Sequence, residues 1–363
     1  MSLNLDDGPR IRVLVVDDSA FMRTALARMI ACEPDIEVVA TASCASIAFE
    51  KISSLDPDVV TLDINMPGLD GLGALRCIMN QFPRPVIMVS AATEKDAETT
   101  LEALSAGAFD YVAKQLSATS LEITHIRNEL ISKIRAAAQS RRSRLISPEF
   151  RKAPHSATLK SSNLAPTVPA VVAIGVSTGG PKALEEILPL LPSDFPIPLL
   201  IVQHMPIGFT TLFAQRLNSL SSIKVKEAAQ GELIRSGTAY VAPAGLHMRV
   251  VPGLSDSKPV ISLDKNPADA LHIPSVDVMM NSVAQVFRNR VIGVIMTGMG
   301  SDGSAGMSAI FRQGGLTIGQ DEGSCAVYGM PRVCAQLGVL TQVLSLSEIP
   351  AQIIHATRHR QRA

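Results

Sequence analysis

From Ile11 onward, short β-branched runs alternate with stretches whose apolar residues recur at helical spacing. Residues 12–16, 36–40, 59–62, 86–89 and 111–112 read as strands, and residues 20–31, 45–54, 72–80, 94–105 and 120–138 read as helices. Five strand–helix pairs in succession predict a doubly wound parallel sheet, since parallel neighbours need a helical crossover between them. The last helix runs into residues 139–169, basic at Arg141, Arg142 and Arg144 and then rich in Ser, Thr, Ala and Pro. Such a composition buries little apolar surface and reads as an interdomain linker.

A second α/β unit begins with the apolar run 170–175, and further strands are expected at 199–202, 238–241 and 291–296, with a helix over 182–190 among the intervening segments. Residues 250–268 show no clear period, and no element is predicted there. The expected plan is α/β throughout: two doubly wound parallel-sheet domains, at residues 10–138 and 169–356, with a linker at 139–168. A length of 363 residues suits two ordinary cores. Apolar residues make up 47% of the chain but aromatics only 4%, with no Trp, which favours Val/Ile/Leu/Ala packing between strands and helices.

Charge narrows the partners. Lys plus Arg and Asp plus Glu are equal at 33 each, so there is no basic field to attract nucleic acid or an anionic membrane, and proteins are the expected partners. The five cysteines are scattered without a C-x-x-C pair, which argues against a disulfide framework or a zinc site. No secretory leader or uninterrupted membrane span is evident, and the chain is expected in the cytoplasm.

Asp17 and Asp18 end the first strand and Asp63 ends the third, while Ser90 ends the fourth and Lys114 follows the fifth. The carboxyl edge of a doubly wound sheet forms the ligand crevice, so these groups should converge there. Clustered carboxylates suit Mg²⁺, which would shield charge as one of them attacks phosphorus. Single strand-end Asp residues are usually just solvated, but five complementary groups on one edge are not a common accident. Val15-Val16-Asp17-Asp18-Ser19, Leu62-Asp63-Ile64-Asn65-Met66-Pro67-Gly68 and Tyr111-Val112-Ala113-Lys114 resemble the receiver domain of two-component response regulators, a flavodoxin-like fold. The resemblance implies that Asp63 accepts a phosphoryl group from a histidine kinase, with Asp17, Asp18 and the Asn65 carbonyl arranging Mg²⁺ around it. It also implies that Ser90 and Lys114 contact the phosphoryl group and that Ser90 and Tyr111 form a switch pair.

In the second half, Gly175-Val176-Ser177-Thr178-Gly179-Gly180 joins a strand to a helix. Small residues permit a sharp turn that presents the Ser hydroxyl near helix N-terminal amides, although such a turn could equally cradle a nucleotide phosphate. His204 follows the strand at 199–202, and Asp302 follows the strand at 291–296, so both fall on the same edge as Ser177. A serine needs an imidazole base and an orienting carboxylate to act as a nucleophile. Of the other histidines, His247 and His272 lie near glycine or proline turns and are read as supporting rather than catalytic; the rest are read as solvated.

The chain order Ser, His, Asp departs from the Ser, Asp, His order of ordinary α/β-hydrolases. Gly175 to Gly180, Gln203-His204-Met205, the stretch from Ala242 to Met248, Pro274-Ser275-Val276-Asp277-Val278, the stretch from Met296 to Gly303 and Tyr328-Gly329-Met330-Pro331 resemble the catalytic domain of chemotaxis protein-glutamate methylesterases. That resemblance implies Ser177 as nucleophile, His204 as general base, Asp302 as orienting acid and the Thr178 and Met299 amides as oxyanion donors. It further implies a phosphorylation-activated serine esterase that hydrolyses glutamyl methyl esters on chemoreceptors, deamidates certain receptor glutamines, takes its phosphoryl group from a chemotaxis kinase, and needs no cofactor beyond Mg²⁺ for the receiver. Ile273 stands where that family commonly has arginine.

Overall fold

The computed structural model describes residues 10–91, 93–114, 120–145, 168–253 and 258–358. The chain divides into two compact units, at residues 1–148 and 149–363. In the first, β1 (Ile11–Val16), α1 (Ala20–Ala31), β2 (Ile36–Ala42), α2 (Ala45–Leu55), β3 (Val59–Asp63), α3 (Gly71–Gln81), β4 (Val86–Ala91), α4 (Glu94–Ser105), β5 (Asp110–Lys114) and α5 (Ser120–Leu145) alternate as the periodicity predicts. The sheet is wholly parallel in the order β2-β1-β3-β4-β5. Its central strands are buried on both faces, which is why they read as continuous apolar runs. One side of β1, through Val13 and Val15, packs on Leu26 and Ile30 of α1 and on Leu130 and Ile134 of α5.

Helix α5 continues seven residues beyond Ala138, so the expected linker begins later than its composition indicates. Arg141 supplies the reason. Its guanidinium lies 2.9 Å from Asp56 and donates to the Pro57 carbonyl at 2.6 Å, tying the helix to the α2–β3 connection. Residues 146–167 of the expected linker lie outside the described residues.

The second unit runs β6 (Val171–Val176), α6 (Gly180–Ile187), β7 (Leu199–Gln203), α7 (Phe209–Leu220), β8 (Lys224–Glu227), β9 (Thr238–Val241), β10 (His247–Val251), β11 (Val260–Asp264), α8 (Val276–Phe287), β12 (Val291–Ile295), α9 (Ser304–Arg312), β13 (Leu316–Gln320), α10 (Met330–Gln336), β14 (Gln342–Leu344) and α11 (Ile349–Arg358). Seven strands form one parallel sheet in the order β14-β13-β12-β6-β7-β9-β8. Where no element was expected, β10 and β11 form an antiparallel hairpin, with Val250 and Ile261 buried. Its strands are short, and only part of each faces the core, so neither carries enough pattern to be read alone.

The strand order reverses between β6 and β12, which places the crevice of this sheet above their carboxyl ends. Helix α8 lies directly on β6 there. A Cβ on Gly175 would overlap the Val276 side chain, so the glycine permits the close approach that brings the first turn of α8 to the crevice.

Candidate functional site

In the first unit, the ends of β1, β3 and β5 deliver Asp17, Asp63 and Lys114 to one point. The Lys114 ammonium is 2.8 Å from Asp17 Oδ2 and 2.7 Å from Asp63 Oδ1. Asp17 and Asp63 are buried while Asp18 is exposed, and one oxygen from each of the three carboxylates falls within 4.8 Å of the others. Burial, together with the Asp17 charge, lifts the Asp63 carboxyl above its ordinary value despite Lys114. Lys114 moves up as well: burial opposes its charge, but two carboxylates outweigh that cost. An all-oxygen set that is short of positive charge fits Mg²⁺.

The remaining predicted groups of this unit flank the pocket. The Asn65 amide N–H donates to Asp63 at 3.3 Å, and its side chain donates to Asp96 at 2.8 Å. Ser90, next to the Ala91–Lys114 strand pair, is buried and accepts a hydrogen bond from the Thr100 hydroxyl of α4 at 3.0 Å. Tyr111 is buried too, with the Lys133 ammonium 5.0 Å from its ring centre, and loss of solvent pushes its hydroxyl well above the ordinary phenol range.

In the second unit, Ser177 follows β6, His204 follows β7, and Asp302 lies between β12 and α9. Ser177 Oγ is 3.1 Å from His204 Nδ1, and His204 Nε2 is 2.9 Å from Asp302 Oδ2. With Asp302 ionised, the imidazole proton belongs on Nε2, which leaves the Nδ1 lone pair facing the serine. The structure therefore brings together the three groups singled out in the sequence.

Asp302 is held from several sides. It accepts hydrogen bonds from the amides of Val276 (2.8 Å), Asp277 (2.9 Å) and Gly303 (3.0 Å) and from the Ser275 hydroxyl (2.9 Å). Burial works against its charge, but the His204 interaction and the Asp277 and Val276 amides outweigh it and hold the carboxyl far below the usual range. The carboxylate thus sits at the N-terminus of α8, where the free amides and helix dipole favour an anion.

Neighbouring residues brace this arrangement in ways that chain order alone does not reveal. Buried His247 accepts from the Ser275 amide at Nδ1 (3.1 Å) and bonds the Pro267 carbonyl through Nε2 (3.1 Å), a structural role that fits its expected support of the site. His272 stacks on His204 with ring centres 4.1 Å apart. In the sequence Gln203 figures only as part of Gln203-His204-Met205 and is given no role; its side-chain amide donates to both the Ser177 and the His204 carbonyls at 3.0 Å, linking the two loops. A polar residue ending an otherwise apolar strand was the available signal.

Two glycines shape the floor. Gly179 adopts φ +76 at the turn into α6, and a Cβ on Gly298 would lie 2.8 Å from the Ser177 Cβ. Among the described residues, neither the Thr178 nor the Met299 amide donates to a protein acceptor, so both remain available to an incoming oxygen. An aligned hydroxyl, imidazole and carboxylate with free amides beside them can carry out acyl transfer.

Residues 172–353 match the CheB methylesterase family, and residues 13–125 match the response regulator receiver domain. A protein-glutamate methylesterase/protein-glutamine glutaminase of Pyrococcus abyssi is 45% identical over 96% of this chain and 94% of its own. One from Nitratidesulfovibrio vulgaris is 46% identical over 95% of this chain and 99% of its own. The crystal structure of the Thermotoga maritima CheB methylesterase catalytic domain is similar at 39% identity and a TM-score of 0.50, covering 52% of this chain and 99% of that one. With both domains matched in order and the likeness spanning nearly its whole length, the chain belongs to the CheB methylesterase family and carries that family's catalytic domain behind a response-regulator receiver.

Proposed function

We propose that this chain is a phosphorylation-activated protein-glutamate methylesterase that hydrolyses glutamyl methyl esters on chemoreceptors and also deamidates receptor glutamines, acting in the cytoplasm. The observation that carries the reading is the unbroken chain from Ser177 Oγ through His204 to Asp302, at 3.1 Å and 2.9 Å. His204 Nδ1 takes the hydroxyl proton as Ser177 Oγ attacks the ester carbonyl. The Thr178 and Met299 amides receive the developing oxyanion, and Asp302 stabilises the imidazolium through Nε2. Collapse breaks the C–O bond, the imidazolium gives its proton to methoxide, and methanol leaves an acyl group on Ser177. Water, deprotonated by His204, then releases glutamate and restores the serine. With a glutamine side chain, the leaving group is ammonia.

The receiver domain implies a phosphodonor kinase, and in this reading the donor is a chemotaxis histidine kinase that transfers its phosphoryl group to Asp63. Asp17, Asp18, Asp63 and the Asn65 carbonyl would hold Mg²⁺, which supplies charge neutralisation during the transfer. Lys114 and Ser90 contact the transferred group, and Ser90 with Tyr111 carries the change to the rest of the unit. Among the described residues, no helix is long and apolar enough to cross a membrane.

Methanol release from methylated receptor membranes, measured with and without a small phosphodonor and Mg²⁺, tests the reading. Release that depends on Ser177 and rises with phosphodonor supports it. No release from the phosphorylated protein defeats it.

A further inference from the structure

The two most exposed large apolar side chains among the described residues of the second unit are Leu271, at 79%, and Ile207, at 73%. Both stand on loops that build the Ser177 crevice. Ile207 is three residues beyond His204, and Leu271 adjoins His272, whose ring stacks on His204 at 4.1 Å. The loops are joined between these positions. The Ile207 side chain lies against Gly245, 3.1 Å from where a Cβ would stand, and the Gly245 amide donates to the Ile273 carbonyl at 3.1 Å.

Isolated exposed apolar residues are ordinary, but two such residues on joined loops beside a nucleophile mark a contact surface. Met205-Pro206-Ile207-Gly208, Leu271-His272-Ile273 and Gly298-Met299-Gly300-Ser301 contain no Lys, Arg, Asp or Glu, and the exposed charge beside Leu271 is the carboxylate of Asp269, two residues before it. An esterified glutamate is neutral, whereas the product is an anion, so apolar segments with the Asp269 carboxylate beside them suit the substrate better than the product. A polypeptide whose ester side chain reaches Ser177 comes close to both residues, since Ile207 is three residues from His204 and Leu271 adjoins the His272 ring stacked on it.

We propose that Leu271 and Ile207 form an apolar docking rim that seats apolar side chains on the same face of the substrate polypeptide as its glutamyl methyl ester. This rests on the methylesterase reading and adds to it how the polypeptide, as distinct from the ester, is recognised. Burying one such side chain stabilises the complex enough to alter affinity by roughly tenfold.

The test compares the full chain, activated with a small phosphodonor and Mg²⁺, with Leu271→Ser, Ile207→Ser and the double variant. Methanol release is followed from methylated receptor membranes and from N-acetyl-glutamate γ-methyl ester, which is too short to reach the rim. The expected result is a fall in the receptor-to-small-ester ratio of kcat/KM by roughly fivefold to tenfold per substitution, expressed mainly in receptor KM. An unchanged ratio overturns the proposal. So does increased turnover by the unphosphorylated variants on both substrates, which would assign the rim to restraint by the protein's own receiver. Wild-type protein that hydrolyses neither ester refutes the methylesterase reading itself, and the docking proposal falls with it.

Discussion

Asp302 and Asp277 cap each other's helices. Asp302, just before α9, accepts from the Val276 and Asp277 amides that open α8, while Asp277 accepts from the Gly306 amide in α9 at 2.7 Å. The two carboxyls nevertheless titrate in opposite directions. Asp302 is held low, because its His204 and amide partners outweigh burial, whereas burial and the Asp302 charge push Asp277 up.

Their contributions to stability therefore have opposite pH dependence. A carboxyl with a depressed folded pKa contributes fully above its ordinary value, begins to lose that contribution below it, and has lost it once pH has fallen through the depressed folded value. One with a raised folded pKa costs stability at neutral pH, and the cost shrinks as pH falls below the raised value and is gone below the ordinary one. Asp302→Asn should lower Tm at neutral pH, with the deficit shrinking toward acid. Asp277→Asn keeps an oxygen for the Gly306 amide and should raise Tm at neutral pH by about 2–4 °C per kcal/mol gained, the gain fading toward acid. Thermal melts between about pH 3 and pH 7 check both. Parallel pH profiles for the two variants would contradict the assignment.

Ser177→Ala and His204→Ala should each reduce kcat/KM for receptor demethylation by on the order of 10⁶, and Asp302→Asn by on the order of 10⁴. The neutral enzyme should carry the His204 proton on Nε2, since that nitrogen faces Asp302 at 2.9 Å while Nδ1 faces Ser177. Nitrogen NMR of the imidazole distinguishes the tautomers directly. A proton resident on Nδ1 would mean that the ring cannot act as a base in the arrangement seen here.

How far the sequence reaches depends on whether the cause is local or tertiary. The strand at 171–176 was legible because every residue in it is buried, and Ser177, His204 and Asp302 were legible because a parallel sheet places successive strand ends on one edge. The bracing was not. Nothing local says that His247 would bond the Ser275 amide 28 residues away, or that the Gln203 amide would span the carbonyls on either side of the site. Arg141 misled in the opposite sense, since a basic run resembles linker until Asp56 is found beside it. The β10–β11 hairpin stayed hidden because its pairing is visible only once the two short strands are laid together.

Lys114 bridges two buried carboxylates, Asp17 and Asp63, and removing its charge leaves both facing each other in low dielectric. Lys114→Met should therefore destabilise the first unit by about 3–5 kcal/mol in excess chelator. Mg²⁺ binds the folded carboxylate cluster and should restore part of the loss, by mass action. Calorimetric melts of the full chain with chelator and with Mg²⁺ measure both quantities. An unaltered melt in chelator would show that the lysine contributes nothing to holding the pocket together.

In the proposed reading, phosphorylation at Asp63 would have to reach Ser177 from a separate unit, since the two lie on different sheets. With both units on one chain, the receiver stays at high effective concentration, so even a modest preference for an inactive state can keep the esterase restrained. A change of about 1.4 kcal/mol in that preference alters the active fraction roughly tenfold when the active state is rare. A fragment beginning at Leu164 lacks the receiver and should hydrolyse methylated receptor faster than the unphosphorylated full chain. Adding a small phosphodonor with Mg²⁺ should accelerate the full chain, leave the fragment unchanged, and do nothing to the full-length Asp63→Asn protein. Initial methanol release at matched enzyme concentrations decides the matter. A folded fragment no faster than the unphosphorylated whole would mean that the receiver activates the esterase when phosphorylated instead of restraining it beforehand, because removing a restraint must release activity, whereas removing an activator can only withhold it.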